Sequence, residues 1–316
     1  MKSSLQELLL GAMAIVCFSV SAQAQIFTGD AGVDGNGNYD YNNGANWVGG
    51  NVPSTATGGT AVINNGLTAT WYGAGDGGDF IVANGGELEV SNGGWQQVTN
   101  NNYIQLEGNG TILVNGGSFN QGTASSVPFN IAGTGNVFTI TSGTANFTTP
   151  FAASTGLTVN FAGGTVTTAG EFDYNSNTMF MSGGVLNTTL MTGVNSGGIG
   201  SFQLSGGTIN LSSSQGIYGA DDSHPLNFTT GSTGVINFAN VNTATVEGYL
   251  TNGIELNGVN DPGAFTVTSA FGGDGATLEL TSELAVPEPS TYLMLGLGLA
   301  FLFAVRRNRR LVACRD

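Results

Sequence analysis

Short runs of alternating apolar and polar residues recur along the chain, and each unit turns at a glycine pair. Three clear units are LTVNFAGGTVTTAG from Leu157, MFMSGGVLNTT from Met179 and FQLSGGTINLSSS from Phe202. Alternation is typical of half-buried β-strands, and a glycine pair marks a corner at which φ becomes positive. The pattern therefore predicts an all-β fold of short strands.

The spacing of the corners indicates how these strands are arranged. Successive corners open at Gly163, Gly183 and Gly206, so they recur at a nearly constant interval. A unit of about 20 to 25 residues with short strands predicts a parallel β-helix, or β-solenoid, which we place over residues 67–275. An antiparallel β-sandwich remains the alternative, because glycine pairs also suit hairpin turns, although sandwich turns recur every ~8 to 12 residues.

Charge is distributed unevenly along the chain, which carries a net charge of −15. All six basic residues lie near the two ends, whereas the stretch between Gln25 and Pro289 holds 19 acidic residues and neither lysine nor arginine. Such a surface repels nucleic acids and anionic lipid headgroups, so we expect no nucleic acid partner. Both cysteines, Cys17 and Cys314, also lie near the ends, which excludes a disulfide or thiolate metal site in this stretch.

Residues 1–24 have the features of a secretory signal peptide. Lys2 supplies the positive region, an apolar run follows, and Ala22 and Ala24 form the pair of small residues that precedes a cleavage site. We predict Sec-dependent export with cleavage after Ala24.

Residues 25–66 are predicted to cap the first edge of the solenoid, since an uncovered edge invites pairing with another chain. Within them, the stretch YDYNNGANWVGGNVPSTATGGTAVINNG resembles the opening that precedes autotransporter-type β-repeats in secreted bacterial proteins. We expect Trp47 to be a buried residue of this cap.

The chain ends with three unlike segments. Residues 276–290 are predicted to form a stalk, residues 291–305 a transmembrane helix and residues 306–316 a basic cytoplasmic tail. Two prolines precede the apolar run and prevent a helix from continuing, so the peptide there is extended and accessible. Basic residues directly after the run match the positive-inside rule.

This order of segments resembles the PEP-CTERM sorting signal. The resemblance covers residues 286–310 and implies processing by an exosortase, transient anchoring in the inner membrane, and then delivery to the cell surface or extracellular matrix of bacteria that produce exopolysaccharide. It implies a sorting motif made of Val286, Pro287, Glu288, Pro289 and Ser290. It also implies a tail anchor made of Arg306, Arg307, Arg309 and Arg310. Residues 311–316 depart from the pattern, which usually ends soon after its arginines.

Catalysis has to be considered because parallel β-helices include polysaccharide lyases and hydrolases. A lyase of this fold uses an arginine or lysine base, which the middle of the chain lacks. A glycoside hydrolase that uses Asp221 and Asp222, near His224, remains the alternative. Adjacent residues of an extended strand point to opposite faces, so we expect a non-enzymatic protein with no catalytic residues.

The stretch DGNGNYD resembles the start of a calcium-binding loop, with oxygen ligands at Asp34, Asn36, Asn38 and Asp40. An EF-hand needs glycine at its sixth position and glutamate at its twelfth, where this chain has Tyr39 and Ala45. The stretch is therefore a candidate for a loose calcium site only, and no other cofactor is expected.

These features together predict a secreted, non-catalytic protein with a structural or adhesive role. We expect outward rows of threonine, asparagine and serine to form ladders from coil to coil and to bind exopolysaccharide, with Trp71 or Trp95 stacking on a sugar ring.

Overall fold

Strands pair with strands one coil further along the chain, in parallel and mostly in register. In this computed structural model the described residues are 24–33, 37, 39–55, 58–71, 80–97, 104–122, 129–152, 155–174, 177–193, 200–218 and 225–281. The chain divides into two compact units, Met1–Leu280 and Thr281–Asp316, and Thr281 alone is described in the second.

The strands are short, except for four that bend and continue across a corner. In chain order the strands are β1 (Gln25–Ile26), β2 (Tyr39–Asp40), β3 (Thr60–Ile63), β4 (Thr68–Trp71), β5 (Phe80–Ala83), β6 (Glu87–Val90), β7 (Gly94–Gln97), β8 (Ile104–Glu107), β9 (Thr111–Gln121), β10 (Phe129–Ala132), β11 (Asn136–Phe147), β12 (Leu157–Phe161), β13 (Thr165–Thr168), β14 (Phe172–Asp173), β15 (Thr178–Thr188), β16 (Met191–Thr192), β17 (Ser201–Leu211), β18 (Ile217–Tyr218), β19 (Leu226–Phe228), β20 (Val235–Phe238), β21 (Ile254–Leu256), β22 (Phe265–Ala270) and β23 (Gly275–Leu280). One helix, α1 (Thr243–Tyr249), and 3₁₀ turns at Gly44–Asn46, Pro262–Ala264 and Phe271–Gly273 complete the described elements.

The coils form three faces, and each coil passes them in the same order. Face 1 contains β1, β3, β6, β12, β19, β21 and the first halves of β9, β11, β15 and β17. Face 2 contains β2, β4, β7, β13, β20 and the second halves of the same long strands. Face 3 contains β5, β8 and β10, and then β14, β16 and β18. The predicted parallel β-solenoid is thus confirmed, and the antiparallel sandwich is excluded for these coils.

Coil length follows the glycine spacing where the glycine pairs are regular. Thr158 pairs with Thr178, and Thr178 pairs with Ser201, at the same offsets that separate the three successive corner glycines of these coils. Coils near the two ends are longer than expected, since Thr60 pairs with Glu87 and Leu226 pairs with Ile254. In the later of these coils the extra residues include α1, which lies between β20 and β21.

Inward positions hold large apolar side chains that stack from coil to coil. Phe151 and Phe172 are fully buried and stack with ring centroids 4.6 Å apart and 16° between their planes. Trp95 and Phe119 stack in the same way, at 4.9 Å and 11°. Parallel pairing places the same strand position of each coil one above the next, so apolar rows become continuous columns.

The corner between face 1 and face 2 needs glycine for two reasons. Gly143 has a φ of 86°, and a Cβ added there would lie 2.1 Å from the carbonyl oxygen of Gly117 in the preceding coil. Gly184 has a φ of 77° and would meet the Gly163 backbone at 2.6 Å. The backbones of neighbouring coils therefore approach too closely at this corner for any side chain.

The first edge of the stack is covered by the segment that follows β2. Trp47 is buried against Phe27, which it also meets in an antiparallel bridge, and its indole Nε1 donates to the Tyr41 carbonyl at 2.7 Å. The burial of Trp47 agrees with its predicted role in a cap. The boundary predicted at residue 66 does not separate a cap from the coils, however, because β3 pairs with both β1 and β6.

The last coils end in an antiparallel arrangement that the alternation did not predict. Strand β23 pairs antiparallel with both β20 and β22 and buries Ala276 and Leu278. Helix α1, capped by the side chain of Asn242, buries Val246. The predicted stalk is therefore wrong over 276–280, which belongs to the last strand of the folded unit.

We predict that Gly143→Ala destabilises the fold by about 3 kcal/mol, because a left-handed conformation and a backbone contact both oppose the new methyl group. Gly231 has a φ of 72° with nothing within 4 Å of an added Cβ, so Gly231→Ala is the matched control and should cost about 1 kcal/mol. Urea unfolding followed by circular dichroism measures both changes. Equal losses in the two variants would show that the close approach of the coils does not matter.

Candidate functional site

Three asparagines occupy the same outward position in successive coils of face 2 and form an amide ladder, Asn187, Asn210 and Asn237. Asn210 Nδ2 donates to Asn187 Oδ1 at 2.8 Å, and Asn237 Nδ2 donates to Asn210 Oδ1 at 2.9 Å. Thr277 extends the ladder by donating to Asn237 Oδ1 at 3.1 Å. Parallel pairing explains the arrangement, because it places the three side chains directly above one another.

A groove with a volume of about 360 Å³ runs beside the amide ladder. Its lining is made of amides, hydroxyls and two small apolar patches: Thr167, Thr168, Asn187, Thr188, Thr189, Asn210, Leu211, Ser212, Asn237 and Ala239. The groove thus crosses the coils and follows the direction in which they stack.

The buried part of the groove is held by hydroxyl groups that already have partners. Thr168 and Thr188 are each 5% exposed, and Thr168 Oγ1 donates to Thr188 Oγ1 at 2.9 Å. The Thr188 hydroxyl in turn lies 2.8 Å from the Gly170 carbonyl. These hydroxyls fix the shape of the groove, whereas the asparagines of the ladder are half-buried and remain partly accessible to solvent.

Each amide of the ladder keeps part of its hydrogen-bonding capacity. A carboxamide offers two N–H donors and two acceptor lone pairs. Within the described residues, Asn210 uses one donor and one acceptor for its neighbours in the ladder. Asn210 therefore keeps one donor and one acceptor for a polar ligand, and no charged side chain is among the residues that line the groove.

Polar ladders also occur elsewhere on the solenoid, as expected from the outward rows of threonine, asparagine and serine. Asn146 Nδ2 donates to Asn120 Oδ1 at 2.7 Å on face 2, and Asn160 Nδ2 donates to Thr139 Oγ1 at 3.2 Å on face 1. The amide ladder at the groove is the longer run. Its sequence signal is the asparagine shared by VLNT, TINL and VINF, which the glycine corners alone do not reveal.

The prediction that Trp71 or Trp95 stacks on a sugar is wrong. Trp71 is 7% exposed and Trp95 is fully buried. Trp95 lies at an inward position of β7 and contacts Phe80 and Phe119. Among the described residues, Phe180 and Tyr218 are large aromatic side chains that are well exposed.

Most of the other predicted site residues lie outside the described part of the chain. They are Ala22, Asp34, Asn36, Asn38, Asp221, Asp222, His224, the sorting motif Val286–Ser290, the transmembrane segment 291–305 and the arginines of the tail anchor. Ala24 is described and exposed. The helices of the described residues include none with the length and hydrophobicity needed to cross a bilayer.

Asp40 belongs to the calcium candidate and has local partners in the structure. Its Oδ1 accepts from the Asn42 amide at 2.8 Å, and its carbonyl accepts from Asn46 Nδ2 at 2.9 Å. These bonds order the turn that leads to the 3₁₀ turn at Gly44–Asn46. Across the described ranges, His, Cys, Asp and Glu side chains do not gather in groups of three or more that could hold a metal ion.

Comparison with protein-family models matches residues 285–310 to the PEP-CTERM protein-sorting motif. The chain carries a PEP-CTERM sorting motif. This motif indicates an extracellular protein that is exported, anchored in the membrane and then sorted to the surface with processing by an exosortase. Neither the curated proteins nor the solved structures gave a match to the chain. The likeness of residues 39–66 to autotransporter repeats stays a prediction.

An acidic pair on face 1 lies apart from the groove. Glu87 and Glu89 are both half-buried on β6, and Thr60 and Thr111 flank Glu87 in the adjacent coils. Burial raises the pKa of the Glu87 carboxyl above its usual value, and repulsion from the Glu89 carboxylate raises it further. The folded state therefore binds this proton more tightly than the unfolded chain does.

We predict that Glu87→Gln raises the melting temperature at about pH 7, which lies above the usual pKa of a glutamate, because burial and the neighbouring Glu89 make the ionised carboxylate unfavourable in the folded state. A group whose pKa is raised on folding favours the folded state at low pH and loses that contribution as the pH rises. The gain should therefore disappear at about pH 3, where the carboxyl is protonated in both states. Thermal melts at the two pH values measure the difference, and an equal gain at both would contradict the assigned cause.

Proposed function

We propose that the solenoid is a non-catalytic structural or adhesive module of the cell surface or extracellular matrix, and that it associates with exopolysaccharide. The observation that carries this proposal is the uncharged groove beside the amide ladder, on a chain that its sorting motif sends to the surface. A surface polymer rich in hydroxyl groups matches the donors and acceptors that the ladder presents.

The chemistry of the groove supports a binding role in preference to a catalytic one. Its lining contains no carboxylate, imidazole or thiol that could act as acid, base or nucleophile. Its hydroxyls at Thr168 and Thr188 are buried and bonded to one another. A rigid groove of neutral groups holds a ligand without activating it.

Export by the Sec pathway completes the proposal. In this view Ala22 and Ala24 define the signal cleavage site, and Pro287, Glu288 and Pro289 are read by the exosortase. The four arginines from Arg306 to Arg310 keep the tail on the cytoplasmic side of the membrane until processing.

We expect the double variant Pro287→Ala, Pro289→Ala to retain its C-terminal tail. Without the prolines, the predicted transmembrane helix could begin before residue 291, so the extended peptide that an exosortase would recognise would be lost. Mass spectrometry of the protein recovered from the producing cells should find the tail in the variant but not in the wild type. Val312→Ala lies beyond the matched residues and is the control, expected to be processed normally. Recovery of wild-type protein with its tail intact would refute exosortase processing.

The adhesive role predicts that wild-type protein is retained on exopolysaccharide prepared from the producing cells. The full-length chain is expressed in those cells, recovered from their surface and passed over the immobilised polymer. Retention without release of reducing sugars is the expected result, because the groove offers binding groups and no catalytic ones. Release of sugars would favour the glycoside hydrolase, and failure of retention would remove the adhesive role.

A further inference from the structure

We propose that the groove beside the amide ladder binds one uncharged polysaccharide chain that lies along the solenoid axis and contacts successive coils in turn. This inference rests on the proposed function and names its site and ligand class. The direction of the ligand follows from the direction of the groove, which crosses the coils instead of following any one of them.

The ladder repeats at the spacing of the coils. Strands in a sheet lie about 4.8 Å apart, so the path from Thr167 to Asn237, three coils away, measures about 14 Å. The carboxamides of Asn210 and Asn237 have the same orientation, because the Nδ2 of each donates towards the preceding coil. A polymer with a regular repeat can contact the asparagine of each coil with one set of hydroxyls, whereas a small molecule contacts the asparagine of one coil only.

The polar groups of the groove select a ligand with both donors and acceptors. Within the described residues, one N–H and one lone pair of Asn210 remain after the ladder bonds are made. A sugar hydroxyl donates and accepts at once, so it satisfies both. Ser212, exposed beside the ladder, adds a hydroxyl of the same kind.

Charge restricts the ligand further. The groove contains no cation, and the chain between Gln25 and Pro289 has neither lysine nor arginine to offset its 19 acidic residues. An acidic polysaccharide or a nucleic acid would be repelled.

The experiment measures how affinity depends on ligand length. Neutral fragments of exopolysaccharide from the producing cells, separated from disaccharide to octasaccharide, are titrated into the exported wild-type protein by calorimetry. Each added sugar that reaches a further coil should tighten binding about fivefold, the value of roughly one net hydrogen bond. Binding should stop improving once the fragment spans the groove.

Asn210→Leu tests the site itself. Removal of the central amide should weaken binding of the longest fragment about tenfold, while Asn160→Leu on face 1, also an outward asparagine with one ladder bond, should have no effect. Circular dichroism melts check that both variants fold. The titrations with fragments of different length use wild-type protein alone, so they test the proposal even if Asn210→Leu does not fold.

The outcomes separate this inference from the proposed function. The protein could be retained on the polymer while its affinity does not depend on fragment length, or while Asn210→Leu leaves that affinity unchanged. Either result overturns the axial site and leaves the adhesive role intact. Loss of all retention overturns both. Self-association of the wild type in sedimentation, abolished by Asn210→Leu, would assign the ladder to a second copy of the chain and overturn the polysaccharide site.

Discussion

Parallel hydrogen bonding between the backbones of successive coils is the interaction on which the rest of this structure depends. It requires each coil to stack on the previous one at the strand spacing of about 4.8 Å. The chain must therefore bend sharply at the corners, and the backbones of successive coils must come close together there. Gly143 and Gly184 meet both demands, since each has a positive φ and a neighbouring coil where its side chain would be. The same constraint accounts for the shortage of charged residues, because identical positions lie about 4.8 Å apart and like charges would repel.

The same register that builds the core also builds the candidate site. Alternate residues of one strand point inward and outward, so a column of Val166, Leu186 and Ile209 inside has a matching column of Thr167, Asn187 and Asn210 outside. Inside, stacking excludes water; outside, it aligns amides into a ladder whose bonds are 2.8 to 2.9 Å long around Asn210. The groove needs no dedicated loop or insertion. A polar residue that recurs at the same strand position of each coil is aligned into a row by the parallel register.

Sequence reasoning recovered the features that depend on local pattern and missed those that depend on contacts between coils. Alternation and glycine spacing predicted the parallel solenoid, and the offsets between successive corner glycines equal the offsets between paired strand positions. The prediction for Trp71 and Trp95 failed because tryptophan suits a core as well as a sugar platform, and Trp95 occupies an inward position of its strand. The antiparallel pairing of β23 with β20 was missed since it reverses the direction of the stack, and a short run such as GATLEL carries no sign of strand direction. The groove was missed because it exists only between coils.

The absence of lysine and arginine from the solenoid determines which interactions can stabilise it. A solenoid without lysine or arginine cannot form side-chain ion pairs of those types, so its stability must come from burial and from neutral hydrogen bonds such as those of the amide ladder. Neutral hydrogen bonds are screened little by salt, which suits a protein exposed to an extracellular medium of changing ionic strength. Four of the six basic residues lie within the matched sorting motif at residues 285–310, outside the solenoid coils.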